Sequence, residues 1–201
     1  WGVQVEYLHE KIKRPPIILS PYDAELYGHW WYEGPDFLHA FLRKAADSSV
    51  LKLTTPAEYL EMFPEHQAVE PTLSSWGDAG YAGVWLDGCN DWIYRHLHEC
   101  ADRMVELATA NPHAGGDLRR ALNQAARELL LAQSSDWAFI MKTGTMVEYA
   151  VRRTRDHVTR FLKIDEDISR GEIDNEWLSV VESRDNIFPE IDYKVYTRID
   201  G

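Results

Sequence analysis

Long apolar runs are missing from this chain. No stretch approaches the ~18 residues that would suggest a membrane span, and residues 1–10 lack the charged-then-apolar order of an export signal. The expectation is a soluble protein with no membrane partner. Basic residues are also few: 21 lysines and arginines stand against 33 acidic residues, for a formal charge of −12. The cations are scattered rather than gathered into a stripe, so polyphosphates would be repelled and nucleic acid is not an expected partner. The two cysteines, Cys89 and Cys100, form neither a CxxC pair nor a disulfide framework, which reads most simply as reduced thiols in a cytoplasmic protein. A glycine-rich phosphate loop, a serine or cysteine nucleophile motif and an HExxH pair are all absent. His96-Leu97-His98-Glu99 offers ligand types, but residues two apart on a helix point in different directions. No metal and no organic cofactor is expected.

Tryptophan is abundant. Five of the eight, Trp30, Trp31, Trp76, Trp85 and Trp92, fall within one stretch of the first half of the chain. A tryptophan buries a large area, so core packing accounts for any single one. The sharper reading is a sugar cleft, because the C–H faces of pyranose rings stack on flat aromatic surfaces.

Pattern along the chain is predominantly helical. Pro16–Ser20 is a short aliphatic run that fits a buried strand, with Pro21-Tyr22-Asp23 at its C-terminal end, where barrel and doubly wound enzymes place their chemistry. Gly34-Pro35-Asp36 opens a helix whose Phe37, Leu38, Phe41, Leu42 and Ala45 share one face. Val50–Thr54 is a second strand candidate, and Pro56 opens a brief helix capped by Thr55. Residues 64–90, rich in Gly, Pro and Ser, read as a long ordered loop, a feature often tied to function. From Asp91 the three- and four-residue spacing of Ile93, Leu97, Ala101, Met104 and Ala108 predicts a helix ending before Asn111-Pro112. A second helix follows Gly115-Gly116, and a third is expected from Ser135 through Gly144 to Phe161, the three packing as an antiparallel bundle. Glu176–Glu182 is a further short helix, and Tyr193–Ile199 a possible final strand.

The densest constellation is Tyr22-Asp23-Ala24-Glu25-Leu26-Tyr27-Gly28-His29-Trp30-Trp31-Tyr32-Glu33-Gly34-Pro35, with three carboxylates, a histidine and five aromatic rings in fourteen residues. Cleaving a glycosidic bond needs a carboxylic acid to protonate the leaving oxygen and a second carboxylate across the sugar. Asp23, nearest the strand end, suits the first role; the plainer reading is a helix or turn cap. Glu25 is too close to be the second carboxylate, since residues two apart in an extended segment point to the same side.

This stretch resembles the fourth conserved region of glycoside hydrolase family 57, in the form found in its α-glucan branching enzymes. Ser74-Ser75-Trp76-Gly77, Gly80-Tyr81, Val84-Trp85-Leu86 and Asn90-Asp91-Trp92 are similar to the tryptophan-bearing loop of those enzymes, and Ser134-Ser135-Asp136-Trp137 resembles the fifth region. The resemblance covers most of residues 17–163. It implies that residues 1–63 are the last strand and helix of a (β/α)7 catalytic barrel, 64–90 an aromatic active-site loop, and 91–201 a C-terminal helical domain. It further implies a retaining transfer that cuts α-1,4-glucan and forms α-1,6 links, with Asp23 as acid/base and substrate contacts from Glu25, His29, Trp30, Trp76, Trp85, Asp136 and Trp137. His29 reads equally as a packed histidine, and Asp136 as a helix cap; Trp92 and Trp177 are assigned to packing. The upstream blocks, including the nucleophilic glutamate, are absent from these residues, so an N-terminal barrel portion is the expected partner. A family 57 4-α-glucanotransferase, an amylase-like hydrolase and a non-catalytic glucan-binding subunit are the rival readings.

Overall fold

Helix periodicity in the sequence becomes eight α-helices among residues 2–198, the residues that a computed structural model of the chain describes. The chain divides between Pro71 and Thr72 into two compact units.

The first unit holds α1 (Gly2–Ile12), α2 (Gly34–Ala46) and α3 (Pro56–Met62). Helix α1 is not foreseen from the sequence, because its apolar residues make no clean stripe. Helix α3 begins as the residues predict. Thr55 Oγ1 accepts the Glu58 amide at 3.2 Å, Glu58 Oε2 accepts the Thr55 amide at 2.8 Å, and Pro56 fills the first position, where no amide donor is needed. Residues 15–20 and 51–54 belong to no helix or turn, and no strand ladder forms among the described residues. This corrects the two strand readings at the level of pairing: a strand exists only through a neighbour's hydrogen bonds, and none of the described residues supplies them. The Tyr59 hydroxyl instead ties the first segment to α3 by donating to Pro15 O at 2.7 Å. A cavity of about 560 Å³ in this unit is lined by apolar groups including Ile17, Leu19, Phe41, Leu53 and Tyr59. Among the described residues of this unit only Gly34, Ala45 and Tyr59 are buried, while Leu19, Phe37, Leu53 and Leu60 stay exposed.

The second unit contains α4 (Trp92–Ala110), α5 (Gly116–Ala132), α6 (Asp136–Thr143), α7 (Val147–Arg170) and α8 (Asn175–Arg184). Residues 72–91 are irregular apart from 3₁₀ turns at Asp78–Gly80 and Ala82–Val84. The expected third helix is in fact two. Gly144, at φ +79°, takes the left-handed conformation that closes a helix, and its amide donates to Ile140 O. The expected final strand is a 3₁₀ turn over Tyr193–Tyr196, and Ile199 lies outside the described residues. The Tyr193 side chain reaches the connection between α4 and α5, where its hydroxyl donates to Asn111 O and accepts the Ala114 amide.

Burial follows the helical repeat. Ala150, Thr154, His157, Val158, Phe161 and Ile164 face inward from α7, meeting Ala121, Leu122, Ala125 and Leu129 of α5 and the Ile93, Leu97, Met104, Ala108 face of α4. Trp92 and Trp177 pack on the rim of this core. Polar groups lie inside it as well. Glu128 Oε2 meets His157 Nδ1 at 2.7 Å, Gln124 Nε2 donates to Glu128 Oε1 at 2.8 Å, and Arg160 Nη1 donates to Asp185 Oδ2 at 2.7 Å. Burial pushes the Glu128 carboxyl above its ordinary value of 4.5, although His157 and Gln124 pull the other way. Removing one member of such a cluster strands the rest, so Glu128→Ala should cost about 3–5 kcal/mol in urea unfolding. Glu128→Gln keeps the shape without the charge. A carboxyl raised on folding contributes its stability at low pH and loses it as pH rises through the folded value. The parent should therefore lose stability relative to Glu128→Gln as pH rises above the ordinary carboxyl value of 4.5; a flat difference would show that burial does not govern this carboxyl.

Candidate functional site

The residues singled out from the sequence fall into two groups, one in each unit. In the first, the chain turns at Asp23, which caps a short 3₁₀ turn over Ala24–Leu26: Asp23 Oδ1 accepts the Glu25 amide at 3.0 Å. The plain capping role is therefore real. A carboxylate has about four acceptor sites, so this single contact leaves the exposed Asp23 group capable of proton transfer. Glu25 faces His29, Oε1 to Nε2 at 3.6 Å, with both exposed. His29 in turn stands edge-on to the Trp30 ring at 5.3 Å.

Trp30 and Trp31 point apart, as adjacent residues in a tight turn must. Trp30 is 73% exposed, whereas Trp31 is half-buried against Phe37 at 4.9 Å. The turn closes through Gly34, whose amide donates to Trp31 O. A Cβ at Gly34 would sit 2.8 Å from Tyr27 Cα, so only glycine fits there. None of Asp23, Glu25, His29 or Trp30 lines the apolar cavity of this unit.

In the second unit, residues 75–81 curl into a closed turn. The Ser75 amide donates to Gly80 O at 2.6 Å, Gly77 to Ser75 Oγ at 3.2 Å, and Gly80 to Gly77 O at 3.0 Å. Trp76 stands out from this turn, 80% exposed, with its ring 6.1 Å from that of Trp85 at 54°. Trp85 is half-buried and rests on the helical core. An outward indole braced by an inward one is a surface on which a sugar face can stack.

Asp136 opens α6 and is exposed, and neither it nor Ser135 makes a side-chain capping bond. Trp137 lies on the inward side of the same helix. Its ring is buried, its indole N–H donates to Leu131 O at 2.7 Å, and Tyr149 meets it edge-on at 5.9 Å. Apolar periodicity in α6 pulls Trp137 inward; a short motif gives no information on which side of a helix its tryptophan will lie.

One cluster among the described residues has donor atoms suited to a cation. Atoms of Glu128, His157 and Asp185 lie within 4.8 Å of one another. The Arg160 guanidinium already stands 2.7 Å from Asp185 and 3.9 Å from Glu128, providing the positive charge that a metal would bring. These groups therefore fit an internal ion cluster better than a metal centre.

Sequence reasoning gave no role to the residues that hold the aromatic loop. Asp87 pairs with Lys142 at 2.5 Å, which together with the Cys89 amide brings its carboxyl down to about 2. The buried Asn90 donates to the Val84 carbonyl, and the Tyr94 hydroxyl to that of Trp85 itself. An asparagine preceding a helix reads as a cap, and only the coordinates show what its amide touches.

Comparison with known proteins gives a consistent picture. A family model described as 1,4-alpha-glucan branching enzyme, C-terminal, matches residues 96–196. The chain is 34% identical over 184 residues to a 1,4-alpha-glucan branching enzyme of Thermococcus kodakarensis, covering 89% of this chain and 27% of that protein. It is 32% identical over 154 residues to a probable 1,4-alpha-glucan branching enzyme of Mycobacterium tuberculosis, covering 74% and 29%. Among solved structures, the alpha-amylase AmyC from Thermotoga maritima is 44% identical with a TM-score of 0.71, covering 98% of this chain and 36% of that one. The GH57-type branching enzyme from Pyrococcus horikoshii is 35% identical with a TM-score of 0.76, covering 98% and 38%. The chain thus spans a little over a quarter of the curated relatives it matches.

A Cβ at Gly77 would stand 2.5 Å from Tyr81 O and 2.9 Å from the Trp85 ring. Gly77→Ala should disturb the paired indoles, changing the near-ultraviolet circular dichroism and costing about 1–3 kcal/mol of stability. Trp76→Ala, at an exposed position, should change stability by less than about 0.5 kcal/mol. A large loss there would make Trp76 a structural residue.

Proposed function

We propose, from the premise that this chain belongs to the 1,4-alpha-glucan branching enzyme C-terminal family, that it is the C-terminal portion of an enzyme that cuts α-1,4-glucan and rejoins the fragment through an α-1,6 link. The observation that carries the reading is the extent of the likeness to an enzyme named for that activity, 89% of the chain at 34% identity. In this reading residues 1–63 complete a catalytic (β/α)7 barrel, 64–90 form an aromatic active-site loop, and 91–201 form the helical domain. The apolar side chains left open on the first unit support the barrel assignment, since exposed patches of that kind mark surfaces that meet further protein.

The chemistry is a double displacement. A glutamate from the N-terminal barrel portion attacks the anomeric carbon while Asp23 protonates the departing glucan oxygen. Asp23, now a carboxylate, then removes the proton from the 6-hydroxyl of an acceptor glucan as that oxygen displaces the glutamate. Glu25, His29, Trp30 and Asp136 are exposed polar or aromatic groups suited to glucan contact, and Trp76 backed by Trp85 is suited to stacking. Trp137 acts from within the core, as a support for α6. No metal or organic cofactor enters this scheme. The natural substrate would be a glycogen-like glucan in the cytoplasm, an assignment compatible with two free cysteines and with no helix of the described residues being long and apolar enough to cross a membrane.

Hydrolysis is the second reading, favoured by the 44% identity to the alpha-amylase AmyC of Thermotoga maritima. Incubation of the full-length enzyme with amylose separates the two. New α-1,6 anomeric signals in proton NMR are expected, and reducing ends without them would establish hydrolysis. Asp23→Asn should lower kcat by about 10²–10⁴-fold with glucan binding retained; unchanged turnover would remove Asp23 from the chemistry.

A further inference from the structure

Asn90 is fully buried and makes three hydrogen bonds with its side chain. Its Oδ1 accepts the Asp87 amide at 2.8 Å. Its Nδ2 donates to Val84 O at 2.9 Å and to Ala138 O at 3.1 Å, the latter in α6. Two of these partners bracket Trp85 in the chain, and the third belongs to a different helix. Two further contacts converge on the same stretch: the Tyr94 hydroxyl donates to the carbonyl of Trp85 itself, and Lys142, also on α6, pairs with Asp87. An irregular segment has no helical ladder to hold its backbone, so a buried amide satisfying both a donor and two acceptors is what gives it one shape.

We propose that Asn90 is the positioning residue of the aromatic loop, fixing the Val84–Asp87 backbone against α6 so that the Trp85 ring is held where Trp76 can rest on it. The effect on glucan rests on the branching-enzyme reading above; the effect on the loop does not. Asn90 itself is buried and touches no substrate. Its influence passes through the backbone of Trp85, and the residue is separate from Asp23 and from the indoles themselves.

The test uses the full-length enzyme with two substitutions. Asn90→Ala removes all three bonds. Amide hydrogen exchange over residues 84–90 should accelerate, and KM for amylose should rise roughly tenfold with kcat within about twofold of the parent, because binding posture is lost and the proton-transfer group is not. A general weakening of the fold would instead raise exchange across α4, α5 and α7. Asn90→Asp keeps the oxygen that accepts the Asp87 amide but aims a second oxygen at the carbonyls of Val84 and Ala138. When ionised it repels both; when protonated it donates to one of them. Loop protection and KM should therefore return toward the parent as pH falls from about 8 to about 5, each measured as a ratio to the parent at the same pH.

The ionisable groups tied to this cluster do not mimic that recovery. Lys142 holds Asp87 ionised at about 2. Asp87 raises Lys142 from 10.5, burial raises Tyr94 from 10.0, and burial with the Asp87 carboxylate raises Cys89 from 9.0. Asp78, which adds to the field at Lys142, is present equally in parent and variant.

Unchanged exchange at 84–90 in Asn90→Ala overturns the proposal, as does faster exchange with an unaltered KM. Should Asn90→Ala fail to fold, Asn90→Asp decides: recovery at low pH upholds it and a flat ratio overturns it. An enzyme inactive on amylose would defeat the branching reading, while exchange and its pH recovery would still judge the clamp.

Discussion

The packing of α7 against α5 is the contact on which the helical unit depends. Small residues on α5, Ala121, Ala125 and Ala132, let the backbone of α7 approach closely, and Phe161 and Ile164 fill the space between. Because Glu128 and His157 sit on these two helices, the ion cluster lies inside the same contact. Arg160 and Asp185 extend it to the segment after α8. Apolar packing and charge pairing thus specify one arrangement together: a shift of register would open cavities and strand a carboxylate at once.

Helices with a sustained repeat were legible in the sequence. Helices α4 and α5 follow from the spacing of their inward residues, and the start of α3 follows from Thr55, Pro56 and Glu58. What failed was local punctuation. Gly144 falls on a helical repeat with Ile140 and Val147, so periodicity alone runs through it, and only its left-handed backbone ends α6. Residues 16–20 and 193–199 have the composition of strands, but pairing is a property of neighbours that composition does not contain.

The site was legible in proportion to how local its meaning is. Asp23, Glu25, His29 and Trp30 come together because they share one turn, so contiguity in sequence already places them. The outward Trp76 and inward Trp85 lie nine positions apart and are joined by the shape of an irregular segment. That shape depends on Asn90, whose partner Ala138 lies 48 positions away. No spacing rule reaches that far, and for that reason the sequence singles out the two indoles and not the residues that hold them. Trp137 shows a second limit: a motif does not say which side of a helix its tryptophan takes, and this one falls on the buried side.

The two units face opposite energetic situations, and the difference has a consequence for how such an enzyme controls its acceptor. The helical unit has a continuous core and can hold its loop without help. The first unit buries little and keeps its apolar residues open, so the turn bearing Asp23 is secured mainly by its own backbone bonds and by Gly34. On the branching-enzyme reading, transfer wins over hydrolysis only where a glucan hydroxyl is held in place more often than water is. An exposed indole that swings freely would offer stacking energy without orientation. Bracing Trp76 on Trp85, and Trp85 on a buried amide, converts a greasy surface into an oriented one. The rigidity comes from the helical core and is delivered to the loop through hydrogen bonds. This accounts for an aromatic segment joined to a helical domain whose interior carries no proposed chemistry of its own.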